Sequence, residues 1–149
     1  MTPRELALAV HDIWNTGDLD RIPRVYAEDF LAHWPPSSET PERRGLDGVV
    51  YGVKRIRTAF PDWFERVDDV LVDGDRVAVR YTSTGTHQGA FWGLAPTGAR
   101  IEVREMSIYR VADGRIAEQW CLFDELARLQ QLGVGADILA DLLNRRPVA

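Results

Sequence analysis

Asp124, His33 and His87 are the side chains whose types and places suit acid–base chemistry. Asp124 follows Trp120 and Leu122, where a strand pattern gives way to a helix pattern. Burial penalises the charged form of a carboxylate, so an apolar pocket raises its pKa toward the range useful for general acid–base catalysis. The same aspartate precedes Glu125-Leu126-Ala127 and is equally well placed to cap that helix. A neutral imidazole offers one donor and one acceptor, so His33 and His87 could orient the carboxylate or polarise a carbonyl. For a lone histidine the favoured reading is a strand-end side chain bonded to backbone. His11, between Val10 and Asp12 on a helix, is expected to be exposed.

Other chemistries find less support. His33, His87 and Asp124 lack short-range ligand spacing such as H-x-x-x-H, so no metal site is expected. The glycine-rich stretch from Gly85 to Gly98 does not lead from a strand into a helix, which argues against a phosphate loop. There is no Gly-x-Ser-x-Gly elbow, and Cys121 sits in a strand pattern without a basic neighbour, so nucleophilic catalysis is not indicated. The tryptophans are Trp14, Trp34, Trp63, Trp92 and Trp120. Aromatic rings supply flat surface for a planar ligand, though they more often serve as core. Trp14, Trp34 and Trp120 are the pocket candidates among them.

The elements that must position these residues are punctuated. Thr2, Pro3 and Glu5 carry the cap, first-position proline and capping-box glutamate of a helix whose apolar stripe is Leu6, Val10, Ile13 and Trp14. Gly17 ends it. A short helix is expected from Leu19 to Tyr26, an extended piece from Phe30 to Trp34, and a polar, mobile loop from Ser37 to Arg44. A third helix is expected from about Leu46 to Phe60, ended by Pro61. The second half turns to strands. Val67–Val72 and Arg76–Gly85 flank Asp73-Gly74-Asp75, and Ile101–Val111 and Arg115–Phe123 flank Ala112-Asp113-Gly114. Asp124 to Leu132 resumes helical spacing, and the tail after Gly133 is a short helix or frayed. Helices followed by long antiparallel strands make an α+β order, and a curved sheet closed by helices encloses a pocket. Strand parity puts Glu118, Trp120, Leu122 and Asp124 on one face, and Tyr81, Ser83 and His87 on one face of an earlier strand.

Composition sets the remaining bounds. The chain has 149 residues, the size of a single domain, and 45% hydrophobic with 28% charged residues is a globular balance. A net charge of −5 gives no general attraction for nucleic acid or an anionic membrane surface. The single cysteine cannot form an internal disulfide, and no apolar signal core or stretch of ~18 apolar residues is present. A soluble, cytoplasmic protein is the resulting expectation.

Short runs along the chain resemble the SnoaL-like polyketide cyclase (ester cyclase) group of the NTF2-like superfamily. They are Trp14-Asn15-Thr16-Gly17-Asp18, His33, Ala59-Phe60-Pro61-Asp62, Gly74-Asp75-Arg76-Val77 and Gly85-Thr86-His87-Gln88-Gly89. Gly93-Leu94-Ala95-Pro96-Thr97-Gly98, Tyr109-Arg110, Asp113-Gly114-Arg115-Ile116, Glu118-x-Trp120-x-x-x-Asp124 and Gln130-Gln131-Leu132-Gly133 follow in order. The resemblance implies one α+β domain over 1–149, an NTF2-like cone with a curved antiparallel sheet packed on the N-terminal helices around an apolar pocket. It further implies intramolecular aldol-type ring closure on a small apolar or aromatic carbonyl compound, with no metal or organic cofactor. Asp124 matches the group's acid–base aspartate, and His33 and His87 match polar positions near it. Tyr81 and Met106 join the tryptophans as expected ligand contacts. The match departs at Arg104-Glu105-Met106, where the group more often has a small residue before the Met-like position; a larger side chain there would reshape the pocket. A hydratase, isomerase or epoxide-opening enzyme, with Arg80 or Arg104 turned inward, is an alternative in the same pocket. A non-catalytic small-molecule-binding domain is another, and it requires Asp124 to be committed to capping. A homodimer or homotetramer paired through the outer sheet face, with Val103 and Tyr109 as contacts, is also expected.

Overall fold

The computed structural model describes residues 1–36 and 42–135. The predicted polar loop falls mostly, and the C-terminal tail almost wholly, outside the described residues. Helix α1 (Pro3–Thr16) begins as its sequence requires: the Thr2 side chain accepts from the Glu5 backbone N–H, and Glu5 reaches back to the Thr2 backbone. It ends where Gly17 takes φ 74°, a left-handed conformation that glycine adopts without a steric penalty. A 3₁₀ turn (Leu19–Arg21) and α2 (Ile22–Val25) occupy the place of the expected second helix, which Pro23 keeps short. Strand β1 (Tyr26–His33) follows, then β2 (Glu42–Arg44), α3 (Gly45–Ala59), β3 (Phe64–Asp73), β4 (Arg76–Thr86), β5 (Arg100–Ala112), β6 (Arg115–Phe123) and α4 (Glu125–Gln131).

Among the described residues the strands form one sheet in the order β2-β1-β6-β5-β4-β3. All neighbours are antiparallel except β1 and β6, which run parallel. This is the NTF2-like α+β architecture, with one parallel pair in a sheet expected to be antiparallel throughout. The parallel pair arises because the chain passes through α3 and the long hairpins before β6 returns beside β1. Register shifts interrupt β1/β6, β3/β4 and β5/β6. Such irregularities bend strands and sharpen twist, which helps a sheet wrap around its own concave face.

Direct register sets which side chains face that concave side. Tyr81 opposes Glu105, and Glu105 opposes Phe123; Val79 opposes Ser107, and Ser107 opposes Cys121; Tyr109 opposes Gln119. Ile101, Val103, Ser107 and Tyr109 of β5 are buried, whereas Glu102, Arg104, Met106 and Ile108 are exposed. Val103 and Tyr109 therefore belong to the interior, and their expected place on an outer contact surface is corrected. The same register corrects the expected face of β6. Gln119 and Cys121 face inward, while Trp120 and Leu122 face outward with Met106 and Ile108. Both faces of this strand are apolar, so alternation alone could not tell which one the helices cover. Helix α1 packs on β3 and β4 through Leu6, Val10, Ile13 and Trp14, and α3 covers β1 through Val49, Val53 and Ile56.

The β4–β5 connection is tied to the end of α3. The Gln88 and Gly89 N–H groups both donate to the Ala59 carbonyl, at 2.9 and 3.0 Å. A Cβ on Gly89 would lie 2.1 Å from the Thr58 carbonyl oxygen, which is backbone and has no room to yield. Gly89→Ala is expected to lower stability by about 2 kcal/mol or more, the size typical of overpacking. Equilibrium urea unfolding checks it, with a near-native midpoint as the contrary result.

Candidate functional site

A narrow cavity of about 40 Å³ lies between the concave sheet face and α1, α3 and α4. Its apolar wall is Val10, Trp14, Trp34, Ile56, Trp63 and Phe123; its polar wall is Glu65, Tyr81, Glu105, Tyr109, Gln119 and Arg128. Mostly aromatic and aliphatic lining with a few convergent polar groups is the usual character of a small-molecule site. Trp14 and Trp34 stand where the sequence placed them, with ring centroids 6.2 Å apart. The Trp34 indole N–H is buried and has no acceptor among the described residues, so it offers a donor to a ligand oxygen. Tyr81 also lines the cavity, as expected.

Glu105 is the carboxylate that the strand register aims into this space. Its side chain is half-buried because it faces the cavity. Burial pushes its carboxyl up to about 7, and the charge of Glu65 adds to the rise; the Ser83 hydroxyl, the Arg128 guanidinium and the Tyr81 hydroxyl pull the other way. Glu65 shares the cavity but is held differently. His11 Nδ1 lies 2.6 Å from its Oε2, and the Trp63 indole donates to its Oε1 at 3.1 Å. His11, expected to be exposed, is 2% exposed: the pair with Glu65, a contact to the Tyr109 hydroxyl at 3.3 Å and an edge contact with Tyr81 take it into the core. Arg128 of α4 is buried against the Phe91 and Phe123 rings, about 4.8 and 4.9 Å from their centroids, and pairs with Glu125.

The predicted catalytic set is not brought together here. Asp124 is exposed, and its Oδ1 accepts the Ala127 N–H at 2.9 Å as the N-cap of α4. The chain turns from strand to helix at this residue, and the capping bond directs the carboxylate along the helix start rather than into the cavity. His33 lies on the outer sheet face. Its Nε2 is 2.9 Å from Glu118, and its ring stacks on Trp120 at 5.3 Å. The His33 hydrogen bond, and then that of Arg110, hold the Glu118 carboxyl below its ordinary value. Trp120 and Met106 therefore border an outer apolar depression with Pro35, Pro36 and Leu122, not the inner cavity. His87 is fully buried but does not line the cavity. Its Nδ1 accepts the Thr97 N–H at 3.2 Å, which fastens the β4–β5 connection and leaves the proton of a neutral ring on Nε2, a donor without a partner among the described residues. Arg80 and Arg104 face outward, so Arg128 is the guanidinium that reaches the cavity.

Glu105, Glu65, Gln119 and Arg128 were missed as site residues. For Glu105 the signal was present, since it shares parity with Ile101, Val103 and Tyr109. Burial pushes the Cys121 thiol up to about 12, so it stays protonated and is no nucleophile. No three His, Cys, Asp or Glu side chains converge on a metal-sized site among the described residues. Likewise, no described helix is long and apolar enough to cross a membrane.

Comparison with known proteins agrees with this architecture. A family model described as SnoaL-like polyketide cyclase matches residues 4–132. Aklanonic acid methyl ester cyclase DauD of Streptomyces sp. strain C5 is 26% identical over 137 residues, covering 89% of this chain and 83% of its own. The same-named enzyme DnrD of Streptomyces peucetius is 26% identical, covering 89% and 91%. Among solved structures, IdmH of Streptomyces antibioticus, a candidate polyketide cyclase, superposes with a TM-score of 0.77 at 33% identity, covering 90% of this chain and all of its own.

The charge state of Glu105 ties pH to stability. Its folded pKa lies above the ordinary 4.5, so the folded state holds the proton more tightly than the unfolded chain does. The stability this gives is fully present below about pH 4.5 and is lost as pH rises through about 7. Glu105→Gln removes the titration. Relative to the native chain it should gain up to about 3 kcal/mol between about pH 4 and pH 8. Parallel denaturant curves at the two pH values check this, and a constant difference would contradict it.

Proposed function

Because the chain belongs to the SnoaL-like polyketide cyclase family, we propose that it closes a ring in a small apolar or aromatic carbonyl compound by an intramolecular aldol-type reaction, with Glu105 as the general base. The observation that carries this is the Glu105 side chain, aimed by its register opposite Tyr81 into an aromatic-lined cavity whose burial raises its carboxyl. A base poised near the working pH combines a useful ionised fraction with real proton affinity. Glu105 removes a proton from carbon, the carbon's electron pair becomes an enolate, and the enolate attacks a second carbonyl of the same molecule. The carbonyl π pair moves to oxygen, which takes the proton back from the Glu105 carboxylic acid and regenerates the carboxylate. The cavity walls hold both ends of the ligand together, so an intramolecular encounter replaces a bimolecular one. Asp124 is committed to its cap, the condition set for a binding domain, and the catalytic reading therefore rests on Glu105.

A second enzymatic reading draws on the grouping of Glu65, Glu105 and Arg128 around one space. Two carboxylates with a guanidinium could hold a water for hydration or epoxide opening. The aromatic walls favour ring closure. Aklanonic acid methyl ester, the compound named for two relatives, is a suitable first probe. Glu105→Gln should lower its cyclisation by on the order of 10²-fold or more while Asp124→Asn stays near native. For the native chain kcat/KM should rise with pH and level off above about 7, because the base must be ionised. Loss in Asp124→Asn with activity kept in Glu105→Gln would reverse the assignment.

The expected self-association now rests on the outer face, where Met106, Ile108 and Leu122 are exposed. Light scattering at micromolar concentration should report a dimer or tetramer, and Leu122→Glu should shift it to monomer. A native monomer would count against it.

A further inference from the structure

Tyr81 stands directly opposite Glu105 in the β4–β5 register, and both line the cavity. Directly opposed residues on one face have Cβ atoms about 4.5–5.5 Å apart. The Tyr81 hydroxyl lies 3.2 Å from Ser107 Oγ and 3.5 Å from Cys121 Sγ. Ser107 Oγ in turn accepts a hydrogen bond from Gln119 Nε2 at 3.1 Å. All four side chains are buried. An amide nitrogen can only donate, so Ser107 Oγ accepts from Gln119 and keeps its own hydrogen to give. Given to the Tyr81 oxygen, it turns the Tyr81 hydrogen toward the cavity, where the Tyr81 hydroxyl already bonds to Glu105.

An enolate needs two groups side by side. One takes the proton from carbon, and the other meets the neighbouring oxygen as charge arrives there. Donors already aimed at that oxygen in a water-poor site stabilise it far more than they would in water. We propose that Tyr81 is a second catalytic residue, donating from its hydroxyl to the enolate oxygen that forms beside Glu105, with Ser107 and Gln119 as the positioning residues that orient it. Burial, reinforced by the charges of Cys121 and Glu105, holds the Tyr81 phenol well above its ordinary value, so it acts as a hydrogen-bond donor and not as a proton source. The adjacency of base and donor also selects the ligand: its acidic C–H must be α to a carbonyl. This inference rests on the reading of Glu105 and the cavity given above.

The test uses 2-naphthol, an aromatic whose ionised form places a full oxyanion in the cavity. In Glu105→Gln the amide takes the place of the protonated carboxyl of the intermediate. Absorbance of the bound probe gives the ratio of naphtholate to naphthol. That ratio should exceed the ratio in solution at the same pH by about tenfold or more, as expected for a strong charge-assisted hydrogen bond. Adding Tyr81→Phe should remove most of the excess. Ser107→Ala in the Glu105→Gln background keeps the hydroxyl but removes its orienting donor, and should remove part of the excess. It decides the matter if the Tyr81→Phe chain does not fold. A merely structural role would not move the ionisation of a bound probe. An excess unchanged by Tyr81→Phe, or by Ser107→Ala where Tyr81→Phe does not fold, overturns the proposal. Failure of Glu105→Gln to bind 2-naphthol at all would instead overturn the cavity reading on which it stands.

Discussion

Glu65 and Glu105 share one cavity, and two carboxylates cannot both be ionised in such a space without a large cost. The structure divides the burden unequally. His11 and the Trp63 indole bind the two oxygens of Glu65, and the Asn15 side-chain Oδ1 accepts its backbone N–H at 2.6 Å. Glu105 has the Ser83 and Tyr81 hydroxyls and the Arg128 charge near it, yet burial with the nearby Glu65 charge outweighs them and raises it. Much of the surrounding fold follows from this division. Helix α1 must be long enough and well enough capped to deliver His11 and Asn15 to β3. Trp63, which directly precedes β3, supplies its ring N–H to the same carboxylate.

The concave sheet face serves as core and as site at once. At either end of β4 and β5 it is filled by Val77, Val79, Ile101 and Val103, and the polar residues occupy the middle. Tyr81, Ser107, Gln119 and Cys121 bond to one another there, which satisfies buried groups that would otherwise be costly. Polar groups satisfied in this way are held in one arrangement, and a fixed arrangement is what a catalytic donor requires. Arg128 ties α4 to the same space. Its guanidinium rests on Phe91 and Phe123, so the β4–β5 connection and α4 close the cavity through one side chain.

Much of the fold was legible in the sequence because its punctuation is local. Thr2, Pro3, Glu5 and Gly17 bound α1, Asp-Gly pairs mark both hairpins, and Pro61 follows α3. The candidate site was legible only in part. Trp14, Trp34 and Tyr81 reached the cavity because their elements present one apolar face. Strand β6 presents two, and Trp120 with Leu122 made the outer face look like the inner one. Only its register with β5 settles the matter, and register is a long-range property that the local sequence does not carry. Asp124 illustrates a related limit. A carboxylate at a strand–helix junction can turn either way, and the N–H of Ala127 decided between them.

Ring closure and water addition ask opposite things of the same cavity. An enolate must be kept from solvent until it meets its partner carbonyl, whereas hydration needs an ordered water beside a carboxylate. Trp14, Trp34, Trp63 and Phe123 supply apolar surface around Glu105 and give a water few partners on that side. Glu65, which could orient a water, already has both oxygens engaged by His11 and Trp63. Glu105 then faces the aromatic wall with Tyr81, Ser83 and Arg128 as polar neighbours. A carboxylate so placed abstracts a proton from a ligand pressed against it more readily than from a water that has nothing else to hold it, and this asymmetry inclines the site toward carbon–carbon bond formation.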